Sequence, residues 1–168
     1  MMADWFDELA EKEEQRRKHA HETEERRQRE RVLIQQHGRR ALENLRTAVG
    51  EFVARYQKRF PDKHEHVDLS LGANGGFTIR RSGIPAVRVA CVPNLEAGEI
   101  RLIYTTQATS DTAEKSAIEF LALHGDTPET LHFGDSRANE YADVGEVCGL
   151  ILRPVLFPQL TVGSDSAD

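Results

Sequence analysis

His64, His66 and Asp68 alternate along a run that reads as extended chain, which projects all three from one side. Imidazole and carboxylate are zinc ligands. At about 3.3 Å of rise per residue, His64 and His66 stand about 6.6 Å apart and can share an ion, whereas Asp68 lies about 13 Å from His64. The strand alone therefore supplies an incomplete pair, and His124 or His132 would have to complete it. No cofactor is expected.

A second constellation is cationic. If Ser82-Gly83-Ile84 is a three-residue loop, Arg80 faces Ala86 and Thr78 faces Arg88, with Arg101 on the same outward face. Guanidinium groups beside small residues suit bidentate recognition of a carboxylate or phosphate. Arg80, Arg88 and Arg101 are thus the candidate anion site, and cross-strand pairing with Glu99, Glu119 or Asp68 is their purely structural alternative. Ser136 and Asp135, with His132 or His124, have the residue types of a nucleophilic triad but no spacing that orders nucleophile, base and acid. Glycine-rich nucleotide loops, a paired-histidine zinc helix, a calcium loop and a nucleophile elbow are all missing from the sequence. The balance favours a binding module over an enzyme.

The third candidate is apolar. Trp5, Phe6 and Leu9 fall along one side of a helical turn that Asp4 can cap. From Glu11 to Arg31 the only apolar residue is Ala20, so the stretch that follows has no face to bury. Glu8 to Lys12, Glu13 to Arg17, Glu14 to Lys18, Glu22 to Arg26 and Glu25 to Arg29 each place the acid four residues before the base. That orientation favours helix by about 0.2 to 0.5 kcal/mol per pair. Residues 1–31 therefore read as a charged, solvent-exposed helical extension with an aromatic tip that docks a protein partner or a second copy. Asp4, Asp7, Glu8 and Glu11 oppose insertion into an anionic membrane.

The elements behind these residues follow from periodicity. Leu42, Leu45, Val49, Phe52 and Tyr56 take helical spacing, broadened by Ala41, Ala48 and Val53, until Phe60-Pro61 ends the run. Packing on the chain's own sheet explains this stripe better than a coiled coil. After Pro61 the period becomes two. Val67, Leu69 and Leu71 form one inward row, Gly72 to Gly76 a reversal, and Phe77 with Ile79 the next row. Val87, Val89 and Cys91, then Ile100, Leu102 and Tyr104, follow after short turns, which favours an antiparallel meander. Residues 108–124 are read as strand, although Asp111 with Glu114 could also cap a helix, and Thr130 to Phe133 makes a last hairpin. Tyr141, Val144, Cys148 and Ile151 return to helical spacing until Pro154 closes the segment. The expected architecture is α+β: a long charged and amphipathic N-terminal helix, a meander of five or six strands, and a C-terminal helix packed on the sheet.

Composition bounds the rest. The 168 residues suit one domain plus an extension, here a globular part over 32–160 and a disordered tail over 161–168. Net charge is -6, divided into +2 over residues 1–64 and -8 over residues 65–168, which disfavours nucleic acid as a partner. No apolar run approaches the roughly 18 to 20 residues of a bilayer span, so a cytoplasmic location without a membrane is expected. Cys91 and Cys148 are too few and too far apart for a zinc ribbon or disulfide framework and are expected to pack as small apolar groups.

Overall fold

In the computed structural model, which describes residues 4–162, one helix carries the chain from the aromatic tip into the body without a break: α1 (Asp4–Arg59). Its two halves obey different physics. Ile34, Gly38, Leu42, Leu45, Val49, Val53 and Tyr56 recur every three or four residues and are all buried, the stripe a helix needs to seat on a sheet. Between Asp4 and Leu33 no residue of the helix is buried.

The sheet is a seven-stranded antiparallel meander in chain order. Its strands are β1 (Val67–Leu71), β2 (Phe77–Arg81), β3 (Ala86–Asn94), β4 (Glu99–Gln107), β5 (Lys115–His124), β6 (His132–Asp135) and β7 (Glu140–Tyr141). Helices α2 (Val144–Leu156) and α3 (Pro158–Val162) follow. The α+β class stands, and the strand count rises above the expected five or six. The added strand is β7, whose two residues are too short to show alternation. Tyr141 consequently belongs to the sheet and not to α2, which starts at Val144 with the Asp143 carboxylate accepting from the Gly145 N–H at 3.0 Å.

Both long helices bear on the same face. α1 meets β1 and β5, α2 meets β2 and β3, and the two helices touch each other. The inward rows Phe77 and Ile79, Val87 to Cys91, and Ile100 to Tyr104 are buried there, while Leu71, at the turn end of edge strand β1, stays exposed. Close approach of α1 is set by small residues. Gly38 lies where an added Cβ would touch Ile34, Leu95 and Leu123, and Gly98, at a φ of 67°, leaves room for the Ile34 side chain.

Two local expectations are corrected. Pro154 does not close α2, which continues to Leu156. A proline removes the bond to the carbonyl four residues earlier, here Leu150, and the Tyr104 hydroxyl donates to that oxygen at 3.5 Å and to the Ile151 carbonyl at 3.3 Å. The single Tyr104 O–H is thus shared between the two carbonyls beside the break, nearer to that of Ile151. In the β2–β3 hairpin, Arg80 faces Arg88 and Thr78 faces Ala90, not Ala86 and Arg88 as a three-residue loop would require. Pro85 has no N–H for the ladder, so the last ladder pair is Arg81 with Val87 and a longer loop joins them.

Among the described residues no helix is long and apolar enough to cross a membrane. Of the tail expected over 161–168, Thr161 and Val162 close α3 and the remainder lies outside the described residues.

Candidate functional site

The tip of α1 is the largest apolar group set apart from the body. Trp5, Phe6 and Leu9 are 64%, 61% and 55% exposed, and the two rings meet edge to face with centroids 6.0 Å apart. Thirty residues of helix, about 45 Å, separate Asp4 from Ile34, the first buried residue. Side-chain pairs three and four residues apart support the helix near its tip. Lys12 reaches Glu8 at 2.9 Å, and Glu13 takes Arg16 at 2.7 Å and Arg17 at 3.0 Å. These two arginines hold the Glu13 carboxyl down at about 2. Glu25 faces His21 at 3.2 Å, and among the described residues the pairs Glu14–Lys18, Glu22–Arg26 and Glu25–Arg29 do not close.

Among the described residues, hydrogen bonds from the stem to the sheet domain begin at Glu30, one turn before Ile34. Glu30 accepts from the Gly125 N–H at 3.4 Å and faces His124 Nδ1 at 3.5 Å. The projecting part of α1 thus ends beside the β5–β6 turn.

The arginines are brought together only in part. Arg80 and Arg88 stand directly opposite on β2 and β3, and Asp68 of β1 faces Arg80 from the other side. Arg101 instead faces Val92 and Phe120, with its guanidinium 5.9 Å from the Phe120 ring centroid. Four residues of β3, about 13 Å, separate its row from that of Arg88. The constellation is therefore a pair on an open face with the third member engaged elsewhere.

The histidine pair is not built as read. His64 lies in a single 3-10 turn, Lys63–Glu65, because the Asp62 carboxylate accepts from the His64 N–H at 3.0 Å and starts that turn before the strand begins. His66 is held by Asp68 at 2.6 Å. His124 and His132 sit together on β5 and β6, ring centroids 6.2 Å apart, but far along the sheet from His66. Among the described residues no three His, Cys, Asp or Glu side chains are grouped to hold a metal ion.

Asp135 organises a turn. It accepts from the Arg137 and Asn139 backbone N–H groups, both at 2.9 Å, from the Asn139 amide at 3.0 Å and from the Tyr141 hydroxyl at 2.7 Å. His132 is directed to the Thr130 carbonyl at 2.7 Å. The orienting order of a triad is therefore not assembled. The Asn139 side chain, followed by the Tyr141 hydroxyl, brings Asp135 from 3.8 down to about 2. A carboxylate with a depressed value stabilises the fold fully above its unfolded value and loses that contribution as pH falls through the folded value. The β6–β7 turn is accordingly expected to open between about pH 4 and pH 2, seen as movement of the Arg137 and Asn139 amide resonances. Asp135→Asn should remove this acid transition, and an unperturbed turn in the parent chain at pH 2 would contradict it.

One arginine is invisible to a search for outward charges. Arg81, adjacent to Arg80, points inward and is buried. Its guanidinium donates to the Tyr56 hydroxyl at 2.8 Å and the Leu156 carbonyl at 3.3 Å, and it faces Glu65 at 3.6 Å. The signal was available in strand parity, since 77, 79 and 81 share a face. Burial likewise pushes Cys91 up to about 12 and Cys148 up to about 11, so both stay thiols and serve as packing groups. No protein family, curated protein or solved structure matches the chain.

Proposed function

We propose that this protein is a docking module whose N-terminal helix presents Trp5, Phe6 and Leu9 to an apolar groove on a partner protein. The observation that carries the reading is the exposure of all three side chains at the end of a helix that buries nothing before Ile34. Holding two aromatic rings in water is unfavourable by about 25 cal/mol per Å² of apolar surface, and docking removes that cost. Asp4, Asp7, Glu8 and Glu11 surround the tip, so the complementary groove is one rimmed by lysine or arginine. The sheet domain acts as the anchor that fixes the other end of α1.

The test compares the intact chain with the Trp5→Ala, Leu9→Ala double variant in affinity capture, followed by titration of a captured partner. Aromatic anchors at interface centres carry about 2 kcal/mol or more each, so the dissociation constant should rise roughly 100- to 1000-fold. The melting temperature of the body should stay unchanged. Undiminished capture by the variant, or collapse of its fold, would defeat the proposal.

A further inference from the structure

The opposite face of the sheet and one of its edges carry a second, independent feature. Strand β5 pairs with β4 from Lys115 to Ala122, but β6 pairs with β5 only from Leu121 onward. The segment from Lys115 to Phe120 is therefore an open edge. Because the Leu123 N–H donates toward β4, at the Gly98 carbonyl, ladder alternation turns the backbone groups of Ser116, Ile118 and Phe120 away from β4. Edge strand β1 is treated differently, since the Gln57 side chain of α1 donates to the Val67 carbonyl. At β5 no such plug exists among the described residues, and Ile118 and Phe120 are 56% and 42% exposed.

We infer that β5 pairs antiparallel with β5 of a second copy, joining two sheets across a two-fold axis at Ala117. The sequence of the edge selects this occupant and this register. With Ala117 on the axis, Lys115 of each copy faces Glu119 of the other, and Ser116 faces Ile118. Two opposite-charge pairs then form on the helix-bearing face, both in positions where side chains of an antiparallel ladder come closest. On the other face the two Ile118 side chains become diagonal neighbours, each with Phe120 two residues along its own strand and Ile103 opposite it on β4. A shift by two residues, placing Ile118 on the axis, would instead set the two Glu119 carboxylates diagonally beside each other and leave Lys115 opposite Leu121. Charged residues commonly blunt an edge strand against pairing. Here they are of opposite sign four residues apart, which makes the strand complementary to itself. The contact closes as an isologous dimer, because one edge pairs with its own copy and leaves no second edge of the same kind.

The experiment measures molar mass by light scattering across a dilution series of the full chain, its Lys115→Glu and Glu119→Lys variants and the double variant carrying both. A concentration-dependent dimer is expected for the parent chain. Each single reversal makes both symmetry-related pairs repulsive and should raise the dissociation constant about 100-fold, while the double reversal should restore it. Circular dichroism will show all four chains equally folded, since both positions are exposed. A monomer at every concentration would overturn the inference, as would a dimer indifferent to the single reversals or one not restored by the double. Trp5→Ala with Leu9→Ala should leave the dimer intact, and its loss in that variant would assign self-association to the tip.

Discussion

Arg81→Ala is expected to lower the unfolding free energy by about 2 to 4 kcal/mol, an effect far larger than that of any outward arginine, for which about 0.5 kcal/mol is typical. Arg81 is 7% exposed and joins three elements: Tyr56 near the end of α1, the Leu156 carbonyl at the end of α2, and Glu65 in the turn before β1. Truncation leaves a cavity where the aliphatic stem lay and removes the donor that the Leu156 carbonyl, one of the orphan acceptors of a helix end, uses. The charge itself is not the source of the stability. Its carboxylate partner is half-exposed at 3.6 Å, and Nε finds no acceptor among the described residues. Arg81→Met, which keeps the volume, should therefore recover part of the loss, with the unsatisfied Tyr56 hydroxyl and Leu156 carbonyl setting the remainder. Adding Tyr56→Phe to Arg81→Met should cost less than the sum of the two, because a bond missing both partners is cheaper than one missing a single partner. Chemical denaturation of the four chains measures this directly. Additive losses would show that the Arg81–Tyr56 bond is energetically silent.

What the sequence revealed and what it concealed divide along the same physical line. Side-chain period is a local property, so the meander and the stripe from Leu42 to Tyr56 were legible in the spacing of apolar residues alone. So was the polar stem, because a helix without an apolar face must stand in water. Register is not local. Whether Arg80 faces Ala86 or Arg88 depends on where the ladder last finds an N–H, and Pro85 decides that from inside the loop. At the break in α2 before Pro154 the Leu150 and Ile151 carbonyls face the hydroxyl of Tyr104, a residue 50 positions before the proline, which no local pattern places there. The histidine pair failed for a nearer reason, as the Asp62 side chain starts a 3-10 turn over His64 that competes with strand. For the candidate site, the residue pattern reads Trp5, Phe6 and Leu9 as a helical turn ahead of a solvated stem, and α1 runs through these residues with all three side chains exposed, whereas what would cover them is encoded in no local pattern of this chain.

The same substitution at two places on α1 should separate docking from folding. Leu45→Ala removes a side chain with no exposed surface from the centre of the buried stripe, and comparable core truncations cost about 3 to 5 kcal/mol through lost transfer energy and the cavity left behind. Against a domain stability of about 5 to 15 kcal/mol, that is a large fraction of the whole. Leu9→Ala makes the identical chemical change on the identical helix, but at 55% exposure there is no cavity to leave. Its effect on stability should stay within about 0.5 kcal/mol, and alanine's higher helix propensity acts against any loss. Capture should respond in the opposite sense: Leu9→Ala weakens the partner complex, while Leu45→Ala alters it only by depleting folded protein. A titration normalised to folded fraction distinguishes these cases. Equal destabilisation by the two substitutions would mean that Leu9 is packed in solution, and the stem between it and Ile34 would then have to bend back. Among the described residues the hydrogen bonds between this stem and the body begin at Glu30, and the ion pairs nearer the tip, lying three and four residues apart along one axis, favour the straight form.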